Sequence, residues 1–198
     1  MQLVLASQSP YRKAQLQALG LRFISEQPLV DETALKKEGP KDLTELTRFL
    51  ALRKAESLKA KHPAAILLGG DQIAELDGVR LDKPGTREAA LVQLKKLRGR
   101  THRLITSIAL VSPLKTLQRT DVTSLTLRHL SDEEIAAYVD LDQPFDCAGS
   151  YKIERAGIGL IESIDSKDPS AIQGLPLISL MHGLNELGLS LTNLWSKV

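Results

Sequence analysis

A chain of 198 residues, 42% of them hydrophobic, carries enough apolar material for one sizeable core. Its 26 Lys and Arg nearly balance 24 Asp and Glu, and a formal net charge of +2 argues against a protein built to lie along nucleic acid backbone, so an anionic partner should be small and bound locally. No basic start leads into an apolar core and cleavage site, apolar stretches such as Ala64 to Leu68 are far too short to span a bilayer, and the lone cysteine, Cys147, cannot close an internal disulfide. These features set the expectation of a cytoplasmic protein without membrane or nucleic-acid partners, with Cys147 packed as a core thiol beside Ala148 and Gly149.

In chain order, Gln2 to Ala6 reads as a buried strand, and Ser7-Gln8-Ser9-Pro10 turns it into a helix from Tyr11 to Leu19, with Ser9 as N-cap and Pro10 in the first helical position. Arg22 to Ser25 suits a second strand. The polar stretch from Pro28 to Lys41 has no helical period and reads as a loop carrying Val30-Asp31-Glu32-Thr33. Helical spacing returns over Asp42 to Ala60, Ala64 to Asp71 is an apolar strand, and Leu76-Asp77-Gly78-Val79 forms a hairpin turn into Arg80-Leu81. Thr86 caps a helix reaching Leu97. Thr101 to Val111 and Leu117 to Leu127 form an antiparallel hairpin, and Ser131 with Glu134 has capping-box spacing for the next helix. Gly157 to Ile164 reads as a strand and Leu175 to Leu187 as the closing helix. With no repeat and no linker, βα alternation plus one long hairpin predicts a single α/β domain over residues 1–198 with a mixed sheet.

Several residues along this pattern could carry chemistry. The turn from Ser7 to Pro10 sets the unpaired amides of a helix start beside Ser7, with Arg12 and Lys13 one turn on, which is either an ordinary capped helix or an anion site. Lys54 falls inside the stripe of Leu43, Leu46, Leu50 and Leu58, so it either snorkels to the surface or reaches an anion at the core edge. Asp31, Glu32 and Asp71 suit turn caps or ligands for Mg²⁺, and Gly69-Gly70 lets another group approach the backbone where Asp71 emerges. Lys83, stiffened by Pro84, adds another cation. Together these are the means to neutralise a triphosphate and position a water. No G-x-x-x-x-G-K-[ST], G-x-G-x-x-G or G-x-S-x-G occurs, and His62, His102, His129 and His182, lacking metal-ligand spacing, are expected in surface or structural roles.

In order, Leu5-Ala6-Ser7-Gln8-Ser9-Pro10-Tyr11-Arg12, Val30-Asp31-Glu32-Thr33, Lys54-Ala55, Gly70-Asp71-Gln72, Asp82-Lys83-Pro84, Ala148-Gly149-Ser150-Tyr151-Lys152-Ile153-Glu154 and Gly174-Leu175-Pro176-Leu177 resemble the successive motifs of the Maf family across almost the whole chain. The resemblance implies an elongated mixed α/β sheet with flanking helices and a cleft, similar to the inosine triphosphate pyrophosphatases. It also implies a homodimer, a divalent metal such as Mg²⁺ or Mn²⁺, and cleavage of a nucleoside triphosphate to its monophosphate and pyrophosphate. Carried over, Ser7, Arg12, Lys13, Lys54 and Lys83 match positions that hold the triphosphate, Glu32 one that binds metal or activates water, and Asp71 the general base. Sequence leaves open whether Asp71 acts on water directly or through the metal. Position 13, often arginine in relatives, keeps its charge here without the bidentate fork. Gln72 and Glu154 resemble the subfamily that hydrolyses 7-methyl-GTP rather than the one acting on dTTP and UTP, and Tyr11 stands where that subfamily often has tryptophan. A broader modified-nucleotide pyrophosphatase and a nucleotide-binding regulator of cell division without turnover are the alternatives.

Overall fold

A computed structural model describes residues 2–195, so Met1 and residues 196–198 of the expected single domain lie outside the described residues. The chain begins with strand β1 (Leu3–Ala6), helix α1 (Pro10–Ala18) and strand β2 (Phe23–Glu26), followed by helices α2 (Glu32–Glu38) and α3 (Leu43–Glu56). The hairpin β3 (Ile66–Leu76) and β4 (Val79–Leu81) leads to helix α4 (Arg87–Leu97), the long hairpin β5 (Thr101–Val111) and β6 (Thr116–Leu127), and helix α5 (Asp132–Asp142). A 3₁₀ turn (Ala156–Leu160), strand β7 (Ile161–Asp165), a second 3₁₀ turn (Pro169–Gln173) and helices α6 (Leu177–Glu186) and α7 (Leu191–Trp195) complete it.

One mixed sheet runs in the order β2-β1-β3-β5-β6-β7, with β4 paired to β3; β1 is parallel to β2 and β3, and the remaining pairs are antiparallel. Successive side chains of a strand face opposite sides. On β1 and β3, Val4, Ala6 and Leu67 pack with Ala51, Ala55 and Leu58 of the α3 segment, while Leu3, Leu5, Ile66 and Leu68 pack with Leu16 of α1 and Leu180 and Leu184 of α6. The far ends of β3, β5 and β6 reach a separate core of Ala74, Leu104 and Leu125 beneath Leu94 of α4 and Val139 of α5. The long strands thus join two packed regions, and a cleft opens between them. Among the described residues no helix is long and apolar enough to cross a membrane.

The capped helix starts form as expected: Ser9, Thr86 and Ser131 each accept from a first-turn amide, and Glu134 completes the capping box. Other expectations need correction. The stretch from Pro28 to Lys41 is not all loop, because α2 forms there without burying any residue. Asp31 caps it through the Thr33 and Ala34 amides, Glu32 sits in its first turn and Lys36 and Lys37 in its last, so caps and charge against the dipole replace an apolar period. The strand expected to end at Asp71 continues to Leu76, since β5 pairs with it as far as Glu75. The strand expected from Gly157 begins at Ile161. Gly157 donates to the Lys152 carbonyl, and a Cβ there would lie 2.4 Å from that oxygen, so the backbone is committed to a turn. The 3₁₀ turn at Pro169–Gln173 and helix α7 were not foreseen.

Candidate active site

Asp71 and Lys54 meet because β3 and α3 approach unusually closely. A Cβ on Gly69 would lie 2.0 Å from the Ala51 carbonyl oxygen and 2.8 Å from the Ala55 nitrogen, so glycine alone lets the helix settle here. Lys54 follows the apolar stripe into the interior and does not snorkel: it is 6% exposed, and its Nζ lies 2.6 Å from Asp71 Oδ1 and 2.7 Å from Glu32 Oε2. Glu32 in turn pairs with Lys36 at 2.6 Å. Burial pushes the Glu32 carboxyl up, but Lys54 and Lys36 outweigh it and hold the group down at about 2. The other Asp71 oxygen, Oδ2, is buried without a hydrogen-bond partner.

The neighbouring side chains depend on period-two alternation along β3. Asp71 shares the α3 face with Gly69, whereas Gly70 faces Arg12 of α1 and Gln72 the Pro169–Gln173 turn. A Cβ on Gly70 or on Gly174 (φ +116°) would come within 3.4 Å of Arg12 Nε, so two glycines make the slot for that guanidinium. Arg12 Nε donates to the Gly174 carbonyl at 3.1 Å and Nη1 reaches Ser7 Oγ at 3.4 Å. Burial lowers the guanidinium pKa, opposed by the charges of Asp71 and Glu32. Gln72 Nε2 donates to Thr106 Oγ1 at 2.9 Å and to the Ala171 carbonyl at 2.8 Å, fixing its amide against the Pro169–Gln173 turn.

Ser7, Arg12, Glu32, Lys54, Asp71 and Lys83 line one cleft of about 840 Å³. Tyr11, Gln72 and Glu154 line a second cavity of about 180 Å³, and the two share Ser9, Pro10, Arg12, Gln72, Lys83 and Ala148 as walls. Gln93 of α4 ties their margins together: its Nε2 donates to the Asp82 carbonyl at 3.0 Å, and its Oε1 accepts from Ser150 Oγ at 2.7 Å. The backbone turns at Gly149 and Ser150, with φ +84° and +61°, and Tyr151 is buried against His102 Nε2 at 2.8 Å.

Of the expected site residues, Lys13 and Asp31 stay off both cavities; Lys13 Nζ donates to Gln8 Oε1 at 3.1 Å. Asp31 caps α2 and stands apart from the main cleft, as a turn cap would. Cys147 is half-buried in the wall of the second cavity instead of in a core, with Sγ 3.6 Å from the Tyr11 hydroxyl, and burial first among the causes pushes its thiol up to about 11. Sequence reasoning missed Lys36, Arg80 and Asp146. An i,i+4 Glu32–Lys36 spacing was the available signal for the first, whereas the Tyr11–Asp146 contact spans 135 residues and left none. Among the described residues no cluster of three or more His, Cys, Asp or Glu could by itself hold a metal ion.

Two carboxylates, a buried lysine between them, a guanidinium slot and an adjoining half-polar cavity are the parts of a site for a phosphorylated small molecule. Residues 2–187 match the family model described as Maf-like protein, and the chain belongs to the Maf family. It is 43% identical over 189 residues to the 7-methyl-GTP pyrophosphatase of Xanthomonas oryzae pv. oryzae (strain MAFF 311018), covering 96% of this chain and 98% of that one. It is 44% identical over 191 residues to the 7-methyl-GTP pyrophosphatase of Polaromonas sp. (strain JS666 / ATCC BAA-500), covering 96% and 86%. A crystal structure of a nucleoside-triphosphatase / dITP/XTP pyrophosphatase from Mycobacterium abscessus aligns with 66% of this chain and 76% of that one at 18% identity, with a TM-score of 0.44, too low to bear on the fold.

Proposed function

We propose that this protein hydrolyses 7-methyl-GTP to 7-methyl-GMP and pyrophosphate in a metal-dependent reaction. The observation that carries the reading is the junction of the two cavities: the Glu32, Lys54 and Asp71 cluster lines one, Tyr11, Gln72 and Glu154 line the other, and Arg12 and Lys83 border both. A nucleotide laid across that junction has its phosphates among the cations and its base beside Tyr11 and Glu154. The names of the curated relatives support the same substrate.

Asp71 Oδ2, buried and unpartnered, accepts the proton of the attacking water while Lys54 steadies Oδ1. The water oxygen bonds to the α phosphorus, the bond from that phosphorus to the bridging oxygen breaks, and pyrophosphate leaves against the charges of Arg12 and Lys83. Glu32, whose side chain is 43% exposed in the same cleft, would hold Mg²⁺ or Mn²⁺ with phosphate oxygens and water, which leaves Asp71 Oδ2 for the proton. When bound, the ion supplies charge neutralisation and a more acidic water. The reading further includes a cytoplasmic homodimer, whose mass light scattering would check.

The test is pyrophosphate release from 7-methyl-GTP, GTP, dTTP and UTP, with Mg²⁺ or Mn²⁺ and with chelator. We expect 7-methyl-GTP to lead, chelator to stop release, and Asp71→Asn to lower turnover roughly a hundredfold to ten-thousandfold with the fold intact. Preference for dTTP or UTP would reassign the substrate, absence of release from every nucleotide would leave a binder, and wild-type turnover by a folded Asp71→Asn protein would remove that residue from the chemistry.

A further inference from the structure

Asp146 is the residue of the second cavity that neither the sequence pattern nor the reaction uses. It follows the α5 helix, and its Oδ2 accepts the Tyr11 hydroxyl proton at 3.0 Å. Its Oδ1 lies 3.3 Å from Lys152 Nζ, whose side chain is only 12% exposed, and Cys147 Sγ approaches the same Oδ1 at 3.6 Å. Asp146, Tyr11, Cys147 and Glu154 all line the cavity. A phenol held at its hydroxyl by a carboxylate is anchored at its far end, because the hydrogen bond fixes the position of the oxygen and with it the χ1 torsion that carries the ring. Two carboxylates facing one cavity also set its charge: Asp146 offsets the nearby Lys152, so that Glu154 is opposed only by Arg12 and Lys83 where the cavity meets the main cleft.

We propose that Asp146 is a specificity-determining residue that makes the cavity select a cationic purine, one alkylated at N7, over its neutral parent. Two linked effects produce the selection. The carboxylate neutralises Lys152, whose largely buried ammonium stands outside the cavity lining but 3.3 Å from Asp146 Oδ1 and, unpaired, would add positive field to the cavity, and it anchors Tyr11 as a face for stacking. A neutral guanine gains the second effect but not the first. This inference rests on the nucleotide reading of the site, but its measured consequence does not require turnover.

The experiment is calorimetric binding of 7-methyl-GMP and of GMP to the wild-type protein and to Asp146→Asn, Tyr11→Phe and, as a charge control away from the cavity, the exposed β7 residue variant Glu162→Gln. Asparagine keeps an oxygen for the Tyr11 hydroxyl but leaves Lys152 unneutralised. Asp146→Asn should therefore lower the ratio of 7-methyl-GMP to GMP affinity about tenfold. Tyr11→Phe should weaken both ligands and change the ratio by less than about threefold, since the carboxylate remains. Glu162→Gln should change nothing. A ratio unmoved by Asp146→Asn, or lowered equally by Glu162→Gln, overturns the inference, as does a wild-type protein that binds both monophosphates equally. If the wild-type protein binds 7-methyl-GMP selectively yet releases no pyrophosphate from 7-methyl-GTP, the proposed reaction fails while Asp146 keeps its role.

Discussion

Replacing Lys54 by methionine tests the central cluster most directly, because the outcome depends on where the side chain ends. A lysine that snorkelled would lose little, and methionine could even stabilise a stripe containing Leu46 and Leu50. Here the Lys54 and Asp71 side chains are 7% and 6% exposed, and no other hydrogen bond to Asp71 Oδ1 forms among the described residues. Lys54→Met leaves Asp71 buried and uncompensated, a change that costs about 3 to 5 kcal/mol. The Glu32 half of the bridge is 43% exposed and keeps Lys36, so it adds less than about 1 kcal/mol. A loss of about 3 kcal/mol follows, or roughly 6 to 12 °C in Tm for a chain of this size. Urea unfolding of Lys54→Met, Asp71→Asn and the double variant measures it. The double variant should be more stable than Lys54→Met alone by about 2 kcal/mol, since asparagine removes the stranded charge. A Lys54→Met protein within about 0.5 kcal/mol of wild type, or a double variant whose losses simply add, would refute the buried-pair argument.

Glu154→Gln should lower kcat/KM for 7-methyl-GTP relative to dTTP and UTP by roughly tenfold to a hundredfold, because a carboxylate accepts from both guanine donors and glutamine presents one oxygen; an equal fall on all substrates would remove Glu154 from base recognition. His102 is 1% exposed, and burial, opposed by the Leu125 backbone and Glu75, lowers its imidazole pKa to about 4 from 6.5. Between those values the unfolded chain binds a proton that the folded one excludes, so stability should fall by on the order of 3 kcal/mol as pH drops from 6.5 to 4 and then level off. His102→Gln should flatten that part of the profile in urea titrations, and an unchanged slope would contradict the neutral, buried histidine.

Local signals were legible wherever the physics is local. Ser9 with Pro10, Thr86, and Ser131 with Glu134 begin helices because each supplies an acceptor for orphaned amides within three residues, and the β5 and β6 runs pair because two long β-type stretches are joined by the short turn from Ser112 to Lys115. Helix α2 was misread for the same reason in reverse: its evidence was a cap and an i,i+4 pair, whereas the reading sought an apolar stripe that a helix with no buried residue does not have. The ordered motifs marked the residues of the site, since the spacing of chemistry along a chain survives without knowledge of the fold.

Sequence by itself determined the family, the kinds of groups available and the fact that Lys54 lies within an apolar stripe. Only tertiary structure decided where that lysine ends, because its burial depends on a helix resting on Gly69 and on Glu32 and Asp71 arriving from two other elements. Tertiary structure also paired Tyr11 with Asp146, 135 positions away, and sent Asp71 and Gln72 to opposite faces of β3. Contacts between distant segments are fixed by packing, and the charge of a side chain takes its meaning from the neighbours that packing brings to it.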